Sequence, residues 1–270
     1  MSVWSSLGAR AIRSTLLFDK AYSLFDRIRS RAVLRLGSSE LLEAYSELAY
    51  SAQNTYQSDQ PTTELGLFAW EQRALAAFPP APARVLIGAA GGGREAFALA
   101  QRGYAVTAFE PSAVLAQSMA NRAERDGGVA AYRGRYGDLP ILQPARPSGT
   151  SLDLRATSPF DAGILGWASL SHLTTDAARV ETLRWFARLV SGPVLVSFFT
   201  RQHPGAPEPE PRTPKAAFTM RIGHYALLSS GDLDDLARRA GLVVESIDLN
   251  YLEGWPNAIL RPVSSLPARS

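Results

Sequence analysis

Residues 84 to 110 read RVLIGAAGGGREAFALAQRGYAVTAFE, and this stretch decides the fold. It begins with a continuous apolar run, Val85 to Ile87, of the kind that forms a strand buried on both faces. A turn almost without side chains follows, Gly88 to Gly93, and then apolar residues recur at helical spacing. A second strand, Ala105 to Phe109, ends at an acid, Glu110. The order strand, glycine turn, helix, strand and acid predicts the opening unit of a parallel α/β sheet.

The glycine turn and the acid are the two parts that suit a nucleotide. Glycines let a ligand lie against the backbone, where a Cβ atom would collide, and they tolerate positive φ angles. The helix after the turn directs free N–H groups towards it. Glu110 can accept hydrogen bonds from two vicinal ribose hydroxyls. Together they predict a Rossmann-like site for an adenosine-type ligand, and a Rossmann-like domain that no longer binds a ligand is the alternative.

The spacing of the small residues favours one class of ligand. A dinucleotide site needs Gly-x-Gly-x-x-Gly, whereas Ala89, Gly91 and Gly93 follow one another at intervals of two. This pattern resembles the Gly-x-Gly-x-Gly of class I S-adenosylmethionine (SAM)-dependent methyltransferases, with Ala89 in the first glycine position. The resemblance extends from about Val85 to Leu260. It implies SAM as the cofactor and an α/β fold, with a Rossmann-like, doubly wound, mostly parallel seven-stranded sheet whose last strand is antiparallel.

Ala89 and two further positions depart from the pattern of that family. Many members carry an acid where this chain has Ile87, and that acid helps to hold the methionine amino group; backbone carbonyls such as those of Gly88 or Gly166 would have to replace it. Arg135 stands where an adenine-contacting acid is often found. The backbone of the next residue, or Asp138, would then contact adenine, and Asp138 is equally well interpreted as a turn or cap residue.

The resemblance also implies a set of cofactor-binding residues. Aromatic side chains just before the first strand often close over the cofactor in this family, and Tyr56 and Trp70 are the candidates here, although a tryptophan such as Trp70 more often belongs to the core. The predicted cofactor-binding residues lie before the first strand, on the glycine turn and after the later strands: Tyr56, Gly88, Ala89, Ala90, Gly91, Gly93, Glu110, Pro111, Tyr136 and Gly166.

A base that accepts one proton would assist methylation of an oxygen or ring-nitrogen atom. Of the three histidines, only His172 follows a buried strand, Phe160 to Gly166, at the end where such sheets bind ligands. His172 is therefore the predicted catalytic residue, and a histidine that merely bonds a neighbouring loop is the alternative. No His/Asp/Glu set has metal-ligand spacing, and the chain has no cysteine, so we expect no metal site.

Composition limits the class of protein. A hydrophobic fraction of 46% and a charged fraction of 20% are usual for a soluble globular protein, and no apolar stretch is long enough to span a bilayer. The absence of cysteine fits a reducing compartment, and we expect a cytoplasmic protein. The net charge of +3 is small, and no Lys/Arg run carries interleaved aromatic residues. The sequence therefore contains no strong nucleic-acid signal.

The chain divides into three predicted parts: residues 1–80, an N-terminal helical extension or lid; residues 81–262, the SAM-dependent methyltransferase domain; and residues 263–270, a tail. Residues 1–36 read as amphipathic, arginine-rich helices, which pack over the domain, form a dimer contact or lie on an anionic membrane surface. Two stretches are predicted as loops, residues 143–159 and the proline-rich segment 200–213, which we expect to be exposed and mobile.

These features predict a SAM-dependent methyltransferase that transfers a methyl group to an oxygen or nitrogen atom of a small-molecule acceptor. The tetrapeptide Asn/Asp-Pro-Pro-Tyr/Phe is absent after the fourth strand, which argues against amino-methyltransferases of nucleic-acid bases or glutamine. Two alternatives remain open: a catalytically silent partner with this fold whose N-terminal helices mediate assembly, and a methyltransferase of a nucleic acid or protein. We expect the acceptor pocket to be built by residues 1–80 and 200–228.

Overall fold

The computed structural model describes residues 24–26, 28–210, 215–252 and 254–263. The helices are α1 (24–26 and 28–36), α2 (Ser39–Ser51), α3 (Pro61–Glu64), α4 (Ala69–Ala74), α5 (Arg94–Ala100), α6 (Ala113–Asp126), α7 (Leu154–Thr157), α8 (Ser169–His172), α9 (Asp176–Leu189) and α10 (Ser230–Ala240). The strands are β1 (Arg84–Gly88), β2 (Ala105–Glu110), β3 (Val129–Arg133), β4 (Ile141–Pro144), β5 (Leu152–Asp153), β6 (Ala162–Leu165), β7 (Val194–Ser197), β8 (Ala216–Thr219), β9 (Gly223–Ala226), β10 (Leu242–Asp248) and β11 (Asn257–Pro262).

One sheet organises the molecule, in the strand order β10-β11-β7-β6-β1-β2-β3-β4-β5. The central strands from β7 to β3 are parallel, and β11 lies antiparallel between β7 and β10. The predicted doubly wound α/β sheet with an antiparallel last strand is confirmed. The order reverses at β1, so the carboxyl ends of β1, β2 and β6 meet at the edge where such sheets bind ligands.

The sheet has nine strands rather than the predicted seven. The two additional strands, β4 and β5, form a short antiparallel hairpin beyond β3, partly within the stretch 143–159 that the sequence predicts as a loop. Leu142 and Leu154 are fully buried and hold this hairpin against the core. Isolated apolar residues among Pro, Ser and Thr give no strand periodicity, so the sequence does not predict these strands.

Successive side chains of β1 point to opposite faces of the sheet, and each face carries an apolar core. Leu86 belongs to an apolar cluster beneath α9 and α10, whereas Val85 and Ile87 belong to a second cluster beneath α4, α5 and α6. The helix boundaries follow local signals. The sequence offers two adjacent serines as the cap of each of two helices, Ser38 or Ser39 for α2 and Ser229 or Ser230 for α10. In the structure Ser38 and Ser229 are the caps, each through a side-chain oxygen that accepts a backbone N–H bond.

The segment 200–213 departs at its start from the exposed loop that the sequence predicts, although most of its described residues from 203 to 210 are exposed. Thr200 and Gln202 are buried rather than exposed, and Glu208 accepts hydrogen bonds from the first turn of α10. Residues 216–226 form the hairpin β8–β9. The end of the predicted segment, residues 211–213, lies outside the described residues, as do residues 1–23 and most of the predicted tail.

No helix within the described ranges is long and apolar enough to cross a membrane.

Candidate functional site

The turn after β1 follows the backbone that its small residues allow. Ala89, Gly91 and Gly93 all have positive φ angles, of 52°, 57° and 90°. A left-handed alanine costs about 1 kcal/mol, and such residues occur preferentially at functional sites. Nothing lies within 4 Å of the position that a Cβ atom would take at Gly91. The three alternating positions therefore form a left-handed turn that is open at Gly91.

The other small residues at this edge of the sheet allow close packing between its loops. A Cβ atom at Gly88 would lie 2.6 Å from the ring of Tyr136, and one at Gly166 would lie 2.2 Å from the carbonyl oxygen of Ala89. The N–H of Gly166 donates to the carbonyl oxygen of Gly88 over 2.8 Å. These contacts bring the loops after β1 and β6 together. Ala90 is buried in the second apolar cluster.

Glu110 faces this turn from the carboxyl end of β2. It is buried, 6% exposed, which differs from the solvent-facing strand end that its position in the sequence indicates. Its two oxygens accept bonds from the N–H groups of Gly91, over 2.9 Å, and Ser112, over 3.0 Å. Burial raises the pKa of this carboxyl to about 7, against the effect of these two bonds. Since a carboxylate has about four acceptor positions, about two remain for a ligand.

The helix α2 lies across this edge of the sheet. Its side chains reach four different parts of the chain: Glu43 accepts from Thr174, Ser46 from the N–H of His224 in β9, Glu47 from Arg135, and Ser51 donates to Ser112. The chain after α2 continues the cover, because the carbonyl oxygen of Tyr56 lies 2.3 Å from the position of a Cβ atom at Gly92. Residues 39–58 therefore cover the glycine turn.

His172 lies in a hydrogen-bonded chain that fixes its tautomer. Its Nδ1 lies 2.7 Å from the carbonyl oxygen of His224, which can only accept, so Nδ1 carries the proton. Its Nε2 is then the acceptor for the hydroxyl of Tyr50, 2.9 Å away. Burial lowers the pKa of His172 to about 4, and the imidazole is therefore neutral near pH 7. Of the other histidines, His203 is exposed and His224 is buried.

Aromatic rings surround this histidine. Tyr50 contacts Tyr56 at 5.2 Å between ring centroids, and His172 contacts Phe199 at 5.9 Å. From Phe199 the cluster continues through further rings: Tyr225, Trp255, Trp167, Tyr251 and Phe68. The Nε1 group of Trp255 is buried with no hydrogen-bond partner among the described residues. The site therefore has a continuous aromatic side.

A buried charged cluster flanks the start of α5. Arg94 donates to Glu71 over 2.7 Å and to Glu95 over 2.6 Å. Burial raises the pKa of Glu71 to about 7, against the bonds from Arg94. Ile87 is fully buried and apolar, so the family's acid has no counterpart at that position. Besides Glu110, the acids beside the start of the helix that follows the turn are Glu71 and Glu95.

The remaining predicted positions have mixed surroundings. Tyr136 is buried, and its hydroxyl shares a 2.7 Å hydrogen bond with Ser169, so only its backbone is a candidate for contact with adenine. Asp138 accepts from the N–H of Arg135, which is the cap interpretation. Trp70 is buried in the second apolar cluster. Pro111 follows Glu110 and is half-buried.

Sequence reasoning missed Tyr50, the aromatic cluster and the pair Glu71 and Glu95. Tyr50 and His172 are 122 residues apart, and no local pattern relates two such positions. The one available signal for Tyr50 was its place in α2, six residues before the candidate Tyr56. All predicted cofactor positions except Tyr56 lie at the carboxyl ends of β1 and β2 or in the segments that follow β1, β2, β3 and β6. Whether each one binds a cofactor stays a prediction.

Comparison with known proteins identifies the fold. The structure of the CcbJ methyltransferase from Streptomyces caelestis has a TM-score of 0.56 and 17% sequence identity, over 80% of this chain and 98% of that chain. CalS10, an amino pentose methyltransferase from Micromonospora echinaspora, has a TM-score of 0.52 and 14% identity, over 80% and 95% of the two chains. The [4+2]-cyclase SpnF has a TM-score of 0.50 and 15% identity, over 74% and 81%. No protein-family model and no curated protein matches the sequence.

The similarity covers nearly the whole length of the first two proteins. The chain therefore has the fold of class I SAM-dependent methyltransferases, as the sequence predicts. The identities are too low to carry an activity from those proteins to this one.

Proposed function

We propose that this protein is a SAM-dependent methyltransferase that transfers a methyl group to an oxygen or nitrogen atom of a small molecule. The observation that carries the proposal is Glu110, a buried carboxylate that bonds the N–H of Gly91 and keeps acceptor positions free beside an open, left-handed turn. CalS10, which has the same fold, was solved with SAM bound and methylates an amino pentose. These facts support SAM as cofactor and a small acceptor.

The residues present fit SAM. Glu110 would accept bonds from the ribose hydroxyls, and the open turn at Gly91 would lie against the cofactor. Tyr56 would cover it, and the backbone of Tyr136 would lie near adenine. The ammonium of the methionine group would find negative charge at Glu95 and at the ionised form of Glu71, both of which bond Arg94. SAM would supply a methyl group bonded to positively charged sulfur, an electrophile ready for in-line displacement.

Tyr50 and His172 would remove the proton of the acceptor. The Tyr50 hydroxyl donates to Nε2 of His172, so its oxygen can accept a proton from an acceptor O–H or N–H group. As that proton arrives, the proton of Tyr50 passes to Nε2. The Nδ1–H bond to the carbonyl of His224 then stabilises the imidazolium. Because burial makes His172 a weak base, this pair suits an acceptor group that becomes acidic during methylation, such as an amine.

Calorimetric titration tests the proposal. SAM and its demethylated product, S-adenosylhomocysteine, should each saturate one site, and NAD should not bind at the same concentrations, because the turn has the wrong glycine spacing for a pyrophosphate. Equal or tighter binding of NAD would overturn the assignment of the cofactor. Absence of binding by all three ligands would favour the second candidate.

The second candidate is a catalytically silent partner with the same fold. Three observations favour a silent partner. Ile87 is apolar and buried where the family often has an acid. Both oxygens of Glu110 already accept bonds from the chain, and residues 39–58 cover the glycine turn. SpnF, a [4+2]-cyclase, has this fold, so the architecture alone does not fix the reaction. Binding of SAM without turnover on any acceptor would support this candidate.

The proposed function includes a division of the chain into three parts. We propose residues 1–80 as a helical extension or lid, residues 81–262 as the catalytic domain and residues 263–270 as a tail, in a cytoplasmic protein that modifies small molecules. A dimer or membrane-surface contact through the N-terminal amphipathic helix is part of the same hypothesis. Leu24, Phe25, Ile28 and Leu36 on α1 are exposed, which supports a contact of this kind.

A further inference from the structure

A groove runs along α2, on the side away from Glu43 and Ser46. Its volume is about 530 Å³, within the range of small-molecule sites. One wall is a helical stripe of α2, and the other is the turn of the hairpin β8–β9. The lining residues are Tyr45, Leu48, Ala49, Ala52, Gln53, Met220 and Arg221.

Two hydrogen bonds hold the walls together. The Tyr45 hydroxyl donates to the carbonyl oxygen of Met220 over 2.9 Å, near one end of the stripe. The Gln53 side chain donates to the carbonyl oxygen of Arg221 over 2.9 Å, near the other end. The Tyr45 hydroxyl and the Gln53 amide are therefore already hydrogen-bonded to the opposite wall. The surface that remains for a ligand is formed mainly by Leu48, Met220 and the two alanines. The groove is thus a built feature with an apolar lining.

Arg221 supplies the one charge of the lining. Its guanidinium has no ion pair with any of the described residues, whereas Arg135, the other arginine that meets α2, is paired with Glu47. The groove therefore presents apolar surface together with one uncompensated positive charge. A ligand that complements it has an apolar body and one negative group.

The groove lies next to the proposed transfer site. Tyr50 is on the same helix as the stripe and bonds His172, and its ring contacts Tyr56. The positive charge of Arg221 acts on both of these hydroxyls: burial raises the pKa of Tyr50 and Tyr56, and Arg221 opposes the rise in each case. Tyr50 itself lies on the Glu43 and Ser46 side of α2 and does not line the groove, so a bound molecule would reach the tyrosine that leads to His172 from the Arg221 end of the groove.

We propose that this groove binds the methyl acceptor and that the acceptor is an amphipathic anion, an apolar small molecule with one carboxylate or similar acidic group held by Arg221. The role of the bound anion as methyl acceptor rests on the proposed methyltransferase function, whereas the binding of such an anion in the groove does not. A direct binding experiment therefore tests the site without knowledge of the reaction.

Two fluorescent probes with the same aromatic rings distinguish the contribution of the ligand's negative charge from that of its apolar surface. The first is 1-anilinonaphthalene-8-sulfonate, an anion, and the second is N-phenyl-1-naphthylamine, which lacks the sulfonate. Arg221→Gln should weaken binding of the anionic probe roughly three- to tenfold and change that of the neutral probe less than twofold. Arg102→Gln, an exposed arginine in the turn between α5 and β2, is the matched control and should change neither.

A second variant tests the location. Ala52 is exposed at the end of the stripe, so Ala52→Trp places an indole in the groove without disturbing the core, and it should weaken both probes at least fivefold. Near-ultraviolet circular dichroism confirms that each variant is folded, because partly unfolded proteins also bind the anionic probe. Binding that is insensitive to Ala52→Trp, or equal effects of the two arginine substitutions, would overturn the proposal.

A SAM titration of Arg221→Gln keeps the two hypotheses apart. SAM affinity should be within twofold of that of the parent protein, because Arg221 contacts neither the glycine turn nor Glu110. If the parent protein binds the anionic probe in the groove but does not bind SAM, the methyltransferase proposal fails and the anion site stands. If SAM binds and neither probe occupies the groove, the acceptor class proposed here is wrong and the methyltransferase proposal stands.

Discussion

Glu110 holds its carboxyl group between opposing influences. Burial raises its pKa to about 7, the N–H groups of Ser112 and Gly91 favour the charged form, and Glu47 disfavours it. Because the pKa in the folded state lies above the ordinary value of 4.5, the folded protein binds a proton more tightly than the unfolded chain. The stabilisation from this protonation is complete below pH 4.5 and is lost as pH rises to about 7. The ionised carboxylate is the stronger acceptor for the ribose hydroxyls. The affinity for the ligand should therefore increase as pH rises over the same range.

Glu110→Gln should therefore weaken SAM binding most at high pH. Loss of charged hydrogen bonds worth roughly 1.5–3 kcal/mol each predicts a tenfold to hundredfold or larger rise in Kd at pH 8, and a smaller rise at pH 6. The amide oxygen still accepts from one of the two backbone N–H groups, so the fold should survive. Calorimetry at both pH values is the measurement.

Glu47→Gln is the control for this pH dependence. It removes a charge that raises the pKa of Glu110, so it should shift the SAM-binding profile to lower pH and leave the affinity at pH 8 within about twofold. An unchanged Kd in folded Glu110→Gln at pH 8 would show that this residue does not hold the ribose.

Tyr50→Phe tests the proton path at the same scale. The substitution removes the donor to Nε2 of His172 and keeps the ring contact with Tyr56. Once an acceptor is identified, kcat should fall roughly a hundredfold, as expected for loss of a general base, and SAM affinity should be unchanged.

The matched control is Tyr45→Phe, on the same helix. Its hydroxyl bonds Met220 and not the histidine, so this variant should raise KM for the acceptor and leave kcat near that of the parent protein. Equal losses of kcat in the two variants would remove Tyr50 from the reaction.

At the scale of elements, the sequence predicted what depends on local signals. The caps of α2 and α10 were predicted to within one residue, because a capping hydroxyl and the following apolar periodicity are adjacent in the chain. The short strands β4, β5, β8 and β9 were missed. Each has only two to four residues, too few for an alternating pattern to be distinguished from a loop.

Glu208 shows how a proline-rich segment can be held in place. Its carboxylate accepts from the Ser230 hydroxyl over 2.7 Å and from the N–H of Gly231 over 2.8 Å, in the first turn of α10. Hydrogen bonds from Ser229 and Ser230 lower the pKa of Glu208. Its stabilising effect is therefore present above the ordinary carboxyl pKa and is lost as pH falls through the lowered value.

Glu208→Gln should reduce the free energy of unfolding by about 0.3–1 kcal/mol at pH 7, the usual effect of an anion at a helix N-terminus. Denaturant unfolding measures it. Glu210→Gln, two residues further along the same segment, is the matched control, since no hydrogen bond from the described residues reaches Glu210. The two variants should become equally stable in strong acid. A difference that persists there would assign the effect to packing.

At the scale of the whole molecule, the sequence predicted the cofactor half of the candidate site better than its cover. The glycine turn and Glu110 lie within one contiguous unit, and their chemistry can be recognised there. The cover depends on contacts between distant parts of the chain: Ser51 with Ser112, 61 residues apart, and Tyr50 with His172, 122 residues apart. Such pairs are set by tertiary packing of α2, which no local pattern contains.

This division predicts the effect of removing the N-terminal residues. A chain that begins at Ser38 keeps the cap of α2 and every described contact that α2 makes with Ser112, Arg135 and His172. It loses α1, whose Ser30 accepts a bond from the N–H of Phe218 in the hairpin β8–β9. We therefore expect SAM affinity within about twofold of that of the full chain, and weaker binding of the anionic probe in the groove beside that hairpin.

Calorimetry with SAM and fluorescence titration with 1-anilinonaphthalene-8-sulfonate measure these two effects. A second chain that begins at Leu24 separates the contribution of residues 1–23 from that of α1, and sedimentation of both chains shows whether either segment forms a dimer contact. Preserved SAM affinity with weaker probe binding would assign α1 to the acceptor side of the site, through its support of the hairpin. If truncation reduces SAM and probe binding in equal proportion, α1 stabilises the domain as a whole and has no separate role at the groove.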